Sequence, residues 1–206
     1  TCLCFTFLVL LPSPARRGVG GEVNYLLITM SYLTSEAKAK LASTIRELRD
    51  RLLTDIHNTA DSTYRLSLPI EKAGLAEEQR VKRSRLEQWL KEQDRDLQLS
   101  RLEAEKLAAA TFLNRLVVIK QLEALDLIKP KVVTGGWQSP GYREFREFAP
   151  DLCKDDTEGF STLLGLLYDE WAFDLPGLFG RVGITELLTV SSTALRITIE
   201  ALNNLN

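Results

Sequence analysis

From residue 35 onward, apolar residues recur every three or four positions, and this spacing constrains the fold more than any other feature of the sequence. Leu41, Ile45 and Leu48 lie about one helical turn apart, and the same steps continue beyond them, so they form one apolar stripe on a helix. Thr34 and Ser35 precede this stripe, and either has the side-chain oxygen that a helix N-cap requires. The sequence therefore predicts a helix that begins here.

Two further helical regions differ in polarity. The region from about 75 to 96 is highly charged: between Gly74 and Lys106 there are eight basic and eight acidic residues. Balanced charge with few apolar residues is typical of an exposed helix, or of a hairpin arm with many ion pairs. The region from about 102 to 127 is apolar over more than half of its circumference. Such a helix is expected in the middle of a bundle.

Shorter helical patterns follow, over 142–148, from 160 to 171 and from Ser191 or Ser192 to the end. A short extended piece is predicted at 132–133, and an apolar loop at 175–180. The predicted fold class is all-α: an irregular multi-helix domain with a central apolar helix and a charged helical arm.

Residues 1–29 differ from the rest of the chain, with a short apolar run at 5–11 followed by prolines, two arginines and a glycine-rich tract. The apolar run is far shorter than the roughly 20 residues that span a bilayer. Because Met30 is the only methionine, we interpret 1–29 as an unstructured upstream segment foreign to the natural protein. Residues 30–206 are then the genuine helical domain. The alternative is an export signal, although its arginines follow the apolar run rather than precede it.

The charge and the reactive side chains exclude several classes of protein. Lysine and arginine total 26 against 28 acidic residues, for a formal charge of −2. This balance excludes a dominant electrostatic nucleic-acid binder but permits a local basic patch. Three cysteines form no disulfide framework, and His57 is the only histidine, so no metal site is predicted. A cytoplasmic protein without a membrane partner is expected.

One candidate site is a basic cluster within six positions, formed by Arg80, Lys82, Arg83 and Arg85. On a helix, these residues spread over two neighbouring faces and could contact successive DNA phosphates. The alternative is a solvated helix whose charges pair with neighbouring glutamates. The balanced charge of the region favours this alternative.

A second group of polar residues lies on the apolar helix, namely Asn114, Arg115 and Glu123. Arg115 and Glu123 are eight positions apart and so lie near one face. A buried arginine must be paired, because an unpaired one costs several kcal/mol. We therefore expect a structural polar network, with Arg115 buried and Glu123 as its nearest acidic partner, rather than a catalytic site.

Several segments of the chain resemble the opening of the adenine-specific DNA methyltransferases of phage-exclusion (BREX) systems. The resemblance covers about 30–206. The helix that contains Asn114, Arg115 and the following Glu123 also resembles the helical region of fused restriction-modification enzymes. The segments that carry it are Leu33-Thr34-Ser35-Glu36-Ala37-Lys38, Ile45-Arg46-Glu47-Leu48-Arg49, Thr63-Tyr64-Arg65-Leu66, Leu113-Asn114-Arg115-Leu116-Val117-Val118, Val133-Thr134-Gly135-Gly136-Trp137 and Asp174-Leu175-Pro176-Gly177-Leu178-Phe179-Gly180.

The resemblance implies that this chain is the N-terminal scaffold or accessory part of a phage-defence methyltransferase, cut off before its catalytic domain. In the family, that domain binds S-adenosylmethionine, carries an Asn-Pro-Pro-Tyr motif and methylates adenine N6 in double-stranded DNA. This chain has seven prolines, none of them adjacent, so the motif is missing. No catalytic, cofactor-binding or metal residue can be assigned, and the chain alone is expected to be inactive. Other defence-system subunits are further expected partners. The alternative function is a free-standing helical adaptor without enzymatic activity.

Overall fold

A computed structural model of the chain describes residues 34–205 except 94, 95 and 182. The predicted all-α class is confirmed, since the described residues form eight α-helices and no β-strand. The segment 1–29, interpreted as foreign, lies outside the described residues. The helices are α1 (Ser35–Tyr64), α2 (Glu77–Glu92), α3 (Leu97–Ala124), α4 (Pro140–Phe148), α5 (Phe160–Asp174), α6 (Pro176–Phe179), α7 (Gly183–Leu187) and α8 (Ser192–Asn203).

Helix α1 begins where the sequence predicts. The Thr34 hydroxyl accepts a hydrogen bond from the backbone N–H of Ala37 at 3.1 Å, which satisfies one of the donors left open at a helix start. The chain divides within α1, with one compact unit ending at Ser43 and the second beginning at Thr44. The hydrophobic core considered below lies in the second unit.

In that second unit, α1 buries one face at four-residue intervals. The buried residues are Leu48, Leu52, Ile56, Ala60 and Tyr64. This regular spacing follows from 3.6 residues per turn. At the end of the helix, the Tyr64 hydroxyl donates to the carbonyl oxygen of Leu187 at 2.7 Å, so α1 is joined directly to α7.

Helices α2 and α3 follow each other through a short connection. Leu86 and Leu90 of α2 are buried in the core, whereas the outer side of the helix is mostly charged and exposed. Asp96 caps α3 by accepting from the backbone N–H groups of Gln98 and Leu99 at 2.9 and 3.3 Å. This cap explains why α3 begins at Leu97, five residues earlier than predicted.

Helix α3 packs against α2, α6 and α7. Its buried side chains include the apolar Ala104, Ala108, Ala109, Leu113, Leu116 and Ile119. The same face also buries Ser100, Glu105 and Glu123. The two carboxylates have partners inside the protein, whereas the Ser100 hydroxyl has none.

The segment between α3 and α4 forms no strand, contrary to the short extended piece predicted there. It contains a short 3₁₀-helix, Gly136–Gln138. Gly136 has a φ of +53°, and a Cβ built on it would lie 2.8 Å from the Cγ2 of Ile199, so no larger residue fits without movement. The backbone therefore approaches α8 closely at this point.

The predicted apolar loop at 175–180 contains the short helix α6, which begins at Pro176. Proline at the first helical position has the φ that a helix requires. Further along, Ser191 caps α8 by accepting from the Ala194 N–H at 3.2 Å. Asp55 of α1 holds Ser191 in turn, through the Ser191 N–H at 2.9 Å and its hydroxyl at 2.6 Å.

Candidate functional site

The four basic residues of α2 do not form one surface, because Arg83 is buried. Its side chain lies on the same face as Leu86 and is only 4% exposed. The guanidinium donates to the carbonyl oxygens of Tyr64, Arg65 and Leu68 at 2.9, 3.1 and 2.6 Å. Tyr64 is the last residue of α1 and the other two residues follow it, where the N–H groups of the helix no longer reach the carbonyls. Arg83 is thus a structural cap and cannot contact DNA from this position.

Arg83 is also paired with a carboxylate, since its Nε lies 2.7 Å from an oxygen of Glu87. Burial of an unpaired guanidinium is costly. The Glu87 carboxylate, one turn away, and the three carbonyl oxygens together offset this cost. Two features of the sequence indicate this role: Leu86 lies three positions after Arg83, and Glu87 lies four positions after it.

The other three basic residues of the cluster, Arg80, Lys82 and Arg85, are exposed. Lys82 donates to Glu78 at 2.6 Å, and this bond raises the pKa of the Lys82 ammonium and lowers the pKa of the Glu78 carboxyl. The Nη1 atom of Arg80 lies 3.8 Å from the Oε2 atom of Glu77. A phosphate would have to compete with these glutamates. The structure therefore favours the solvated helix over the DNA-contacting surface.

On α3, the predicted pairing of Arg115 with Glu123 is wrong. Arg115 is half-buried and donates from Nε to the Leu178 carbonyl at 3.0 Å and from Nη2 to the Gly180 carbonyl at 2.8 Å. Both acceptors lie at the C-terminal end of α6, where a helix dipole favours a cation. The partner was not predictable by spacing along α3, because it lies more than sixty positions away.

Aromatic side chains complete the surroundings of Arg115. Its guanidinium lies 5.0 Å from the centre of the Tyr168 ring, within the range of a cation–π contact. Burial lowers the pKa of Arg115 and raises the pKa of Tyr168. The Tyr168 hydroxyl is buried without a hydrogen-bond partner. Asn114 is half-buried beside Arg115 but joins neither Arg115 nor Glu123 among the described hydrogen bonds.

Glu123 is fully buried and binds backbone rather than arginine. Its carboxylate accepts from three consecutive N–H groups, those of Val132, Val133 and Thr134, at 2.6, 2.8 and 2.7 Å. Three converging backbone donors form a cradle for a negative charge. A bound anion is therefore not needed to fill this cradle, because the chain supplies its own carboxylate.

Asn203 of α8 holds the same segment from the other end. Its side-chain amide donates to the Val133 carbonyl at 2.9 Å and accepts from the Gly135 N–H at 3.2 Å. Lys120 of α3 donates to the same Asn203 oxygen at 2.9 Å. The role of Asn203 was not predicted from the sequence, because a lone asparagine near a helix end gives no sign of a partner 70 positions earlier.

A further polar cluster joins α1 to α3 around the single histidine. The buried carboxylate of Glu105 lies 3.0 Å from His57 Nδ1 and 2.7 Å from Arg101 Nε. Arg101 also binds Asp61 at 2.9 Å. Each member therefore has a partner on the facing helix, which indicates a structural link. Of this cluster, the sequence singled out only His57, as the single histidine.

Metal-ligating clusters and open grooves are the features of the described surface that bear on ligand binding. No group of three or more metal-binding side chains is found in this part of the chain. An open groove of about 490 Å³ between α1 and α8 includes Asp50, Asp55, Asn58 and Thr193 in its lining. Its acidic Asp55 is already committed to Ser191. Nor is any helix in residues 34–205, outside the three undescribed positions, both long and apolar enough to cross a membrane.

Comparisons with known proteins do not assign the chain to a family. Neither a scan against protein-family models nor searches of curated proteins and of solved structures found a match.

Proposed function

We propose that this chain is the helical scaffold or accessory part of an adenine-N6 DNA methyltransferase of a phage-defence system, of the BREX or restriction-modification type. In this role, S-adenosylmethionine is bound by another part of the parent protein, and double-stranded DNA is a partner of the parent protein. The proposal rests on the resemblance of several separate segments, taken in their order and spacing.

One structural observation supports it: hydrogen bonds join two of the resembling segments to each other and a third to the helix that faces it. Arg115, in 113–118, binds Leu178 and Gly180, in 174–180. Arg83 closes 63–66 through the carbonyls of Tyr64 and Arg65. If this chain shares the fold of the family, we expect the resembling segments to include the residues whose hydrogen bonds connect the helices. A structural role also agrees with the absence of a methyltransferase motif from the sequence.

The first test is the genomic DNA immediately downstream of the codon for Asn206. We expect an open reading frame of several hundred codons that contains an Asn-Pro-Pro-Tyr motif. The encoded protein should methylate adenine in host DNA, as read by sequencing that detects the modified base. A stop codon directly after Asn206 would instead favour the free-standing helical adaptor.

The second test uses the purified 206-residue chain in titration calorimetry. We expect no heat of binding when S-adenosylmethionine is added, because the chain has no strand, glycine-rich turn and helix arranged for a cofactor among its described residues. Micromolar affinity for S-adenosylmethionine would contradict the scaffold role, whatever the downstream sequence.

A further inference from the structure

The outward side of α5 exposes two large apolar side chains. Phe173 is 91% exposed and Leu166 is 53% exposed, although both residue types are among those most often buried. At 100° per residue, these two side chains and that of Glu170 point within about 60° of one another. We call this surface the α5 outer face, and it consists of Gly165, Leu166, Asp169, Glu170, Phe173 and Asp174.

Two carboxylates of this face lie where α5 itself does not favour them. Asp174 is the last residue of the helix and Glu170 lies one turn before it, at the end where the helix dipole disfavours negative charge. Within the described residues, neither side chain has an ion pair or a hydrogen bond. Asp169, by contrast, is paired with Arg181 at 3.0 Å. Lysine or arginine from a partner would neutralise Glu170 and Asp174.

A glycine in the same face is not explained by packing within the described chain. Gly165 lies in the interior of α5, where alanine would be the better helix former. A Cβ built on Gly165 would meet no heavy atom within 4 Å, so the fold does not require a glycine there. A glycine does allow a second backbone to approach closely. The position therefore suits a face against which another helix packs.

The charges also decide between the possible partners. The free carboxylates of Glu170 and Asp174 would repel the phosphates of nucleic acid and of an anionic lipid surface. Two copies of α5 packed antiparallel, with Leu166 opposite Phe173, would place Asp169 opposite Glu170, so like charges would meet. A basic helix of another protein meets neither obstacle.

We propose that the α5 outer face binds an amphipathic helix of a partner protein that carries lysine or arginine beside its apolar residues. The apolar stripe of that helix covers Leu166 and Phe173, and its cations reach Glu170 and Asp174. Its backbone passes close to Gly165. This inference does not depend on the proposed methyltransferase role.

Fluorescence anisotropy tests the contact with the full 206-residue chain. The probe is a labelled synthetic helix of about 18 residues, built from leucine, lysine and alanine so that one leucine stripe is flanked by lysines. We expect a dissociation constant on the order of tens of micromolar, and at least about tenfold weaker binding when every lysine is replaced by glutamate. Absence of binding, or equal affinity for the two peptides, would overturn the proposal.

Matched variants locate the contact on α5. Phe173→Ser should weaken binding at least about tenfold, whereas Phe148→Ser should not change it. Phe148 is the control because it is also 91% exposed but lies at the end of α4. Glu170→Lys should weaken binding in the same way, whereas Glu147→Lys, on an exposed position of α4, should have little effect. Circular dichroism confirms that each variant is folded. Equal affinities within either pair would place the peptide elsewhere and overturn the proposal.

Gly165→Ala separates a binding role from a structural one. The added Cβ meets no atom of the described chain, so the urea midpoint of the protein alone should rise. Its affinity for the lysine peptide should fall at least about threefold, because the Cβ keeps the second backbone at a distance. A variant that binds the peptide as tightly as the natural chain, or one whose urea midpoint falls, would contradict the proposed packing at Gly165.

Discussion

Tyr64 and Arg83 meet where α1 ends: the guanidinium of Arg83 donates to the carbonyl oxygen of Tyr64 at 2.9 Å, in the interior of the protein. This contact joins the last residue of one helix to the middle of the next. The side chain that makes it comes from the most charged region of the sequence, so its burial has consequences for stability that its exposed neighbours do not share.

Substitution of Arg83 should destabilise the fold strongly. Arg83→Ala removes a donor from three carbonyl oxygens, of which that of Arg65 keeps the Leu68 N–H at 3.0 Å. We expect a loss of about 3–5 kcal/mol in the free energy of unfolding. The matched control is Arg80→Ala on the exposed side of α2, which should change stability by less than about 0.5 kcal/mol. Urea denaturation followed by circular dichroism measures both. Equal midpoints for the two variants would mean that Arg83 is not buried in solution.

Arg115 should matter less than Arg83 but more than a surface arginine. Its side chain is half-buried and its two acceptors are neutral carbonyls, so we expect Arg115→Ala to cost about 1–3 kcal/mol. Arg115→Lys should also be destabilising, because an ammonium cannot reach both carbonyls in the geometry of a guanidinium. The same denaturation experiment checks this. A fully stable lysine variant would show that the two directed hydrogen bonds contribute little.

Removal of the Glu123 carboxylate should loosen the segment it binds. In Glu123→Ala, three buried N–H groups lose their acceptor, and we expect at least about 3 kcal/mol of destabilisation. Amide hydrogen exchange at Val132, Val133 and Thr134 should accelerate more than exchange in α1. Glu147→Ala, on an exposed position of α4, is the control. Unchanged exchange at the three amides would contradict the proposed contact.

Replacement of a buried hydroxyl that lacks a partner should stabilise the protein. The Ser100 hydroxyl is buried without a hydrogen bond. Ser100→Ala removes this unsatisfied group and also introduces a better helix former, so we expect a gain of about 1 kcal/mol or more. Ser84→Ala on the exposed face of α2 provides only the helix-propensity part of the gain. If Ser100→Ala is the less stable of the two variants, the hydroxyl has a partner in solution.

Stability should fall in alkaline solution, partly through Tyr168. Burial raises the pKa of this phenol in the folded state. The unfolded chain, with a tyrosine pKa of about 10, therefore ionises first as the pH rises. The stabilising contribution is complete below that pH and is lost above it. Urea midpoints between pH 8 and 11 should fall less steeply in Tyr168→Phe than in the natural chain. Parallel curves would refute this contribution.

The helices were predictable because each carries a local signal, whereas their hydrogen-bond partners were not. The steps from Leu48 to Leu52 and Ile56 place three residues on one buried face, and the structure confirms that face. By contrast, Glu123 binds backbone N–H groups, which every residue possesses, so no sequence pattern marks its partners. Arg83 was predicted to share an exposed surface with its basic neighbours, because the high charge of the region outweighed its three-residue spacing to Leu86.

The bonds from Asp55 to Ser191 and from Tyr64 to Leu187 connect residues that are 136 and 123 positions apart. Contacts between such distant residues close large loops, which costs entropy that local helix formation does not. During synthesis, the acidic side chain that supports the start of α8 is made long before the serine that it binds. We therefore expect α1 to remain an incompletely docked helix until Leu187 and Ser191 have left the ribosome. The docking of α1 then depends on residues that are made more than 120 positions after it.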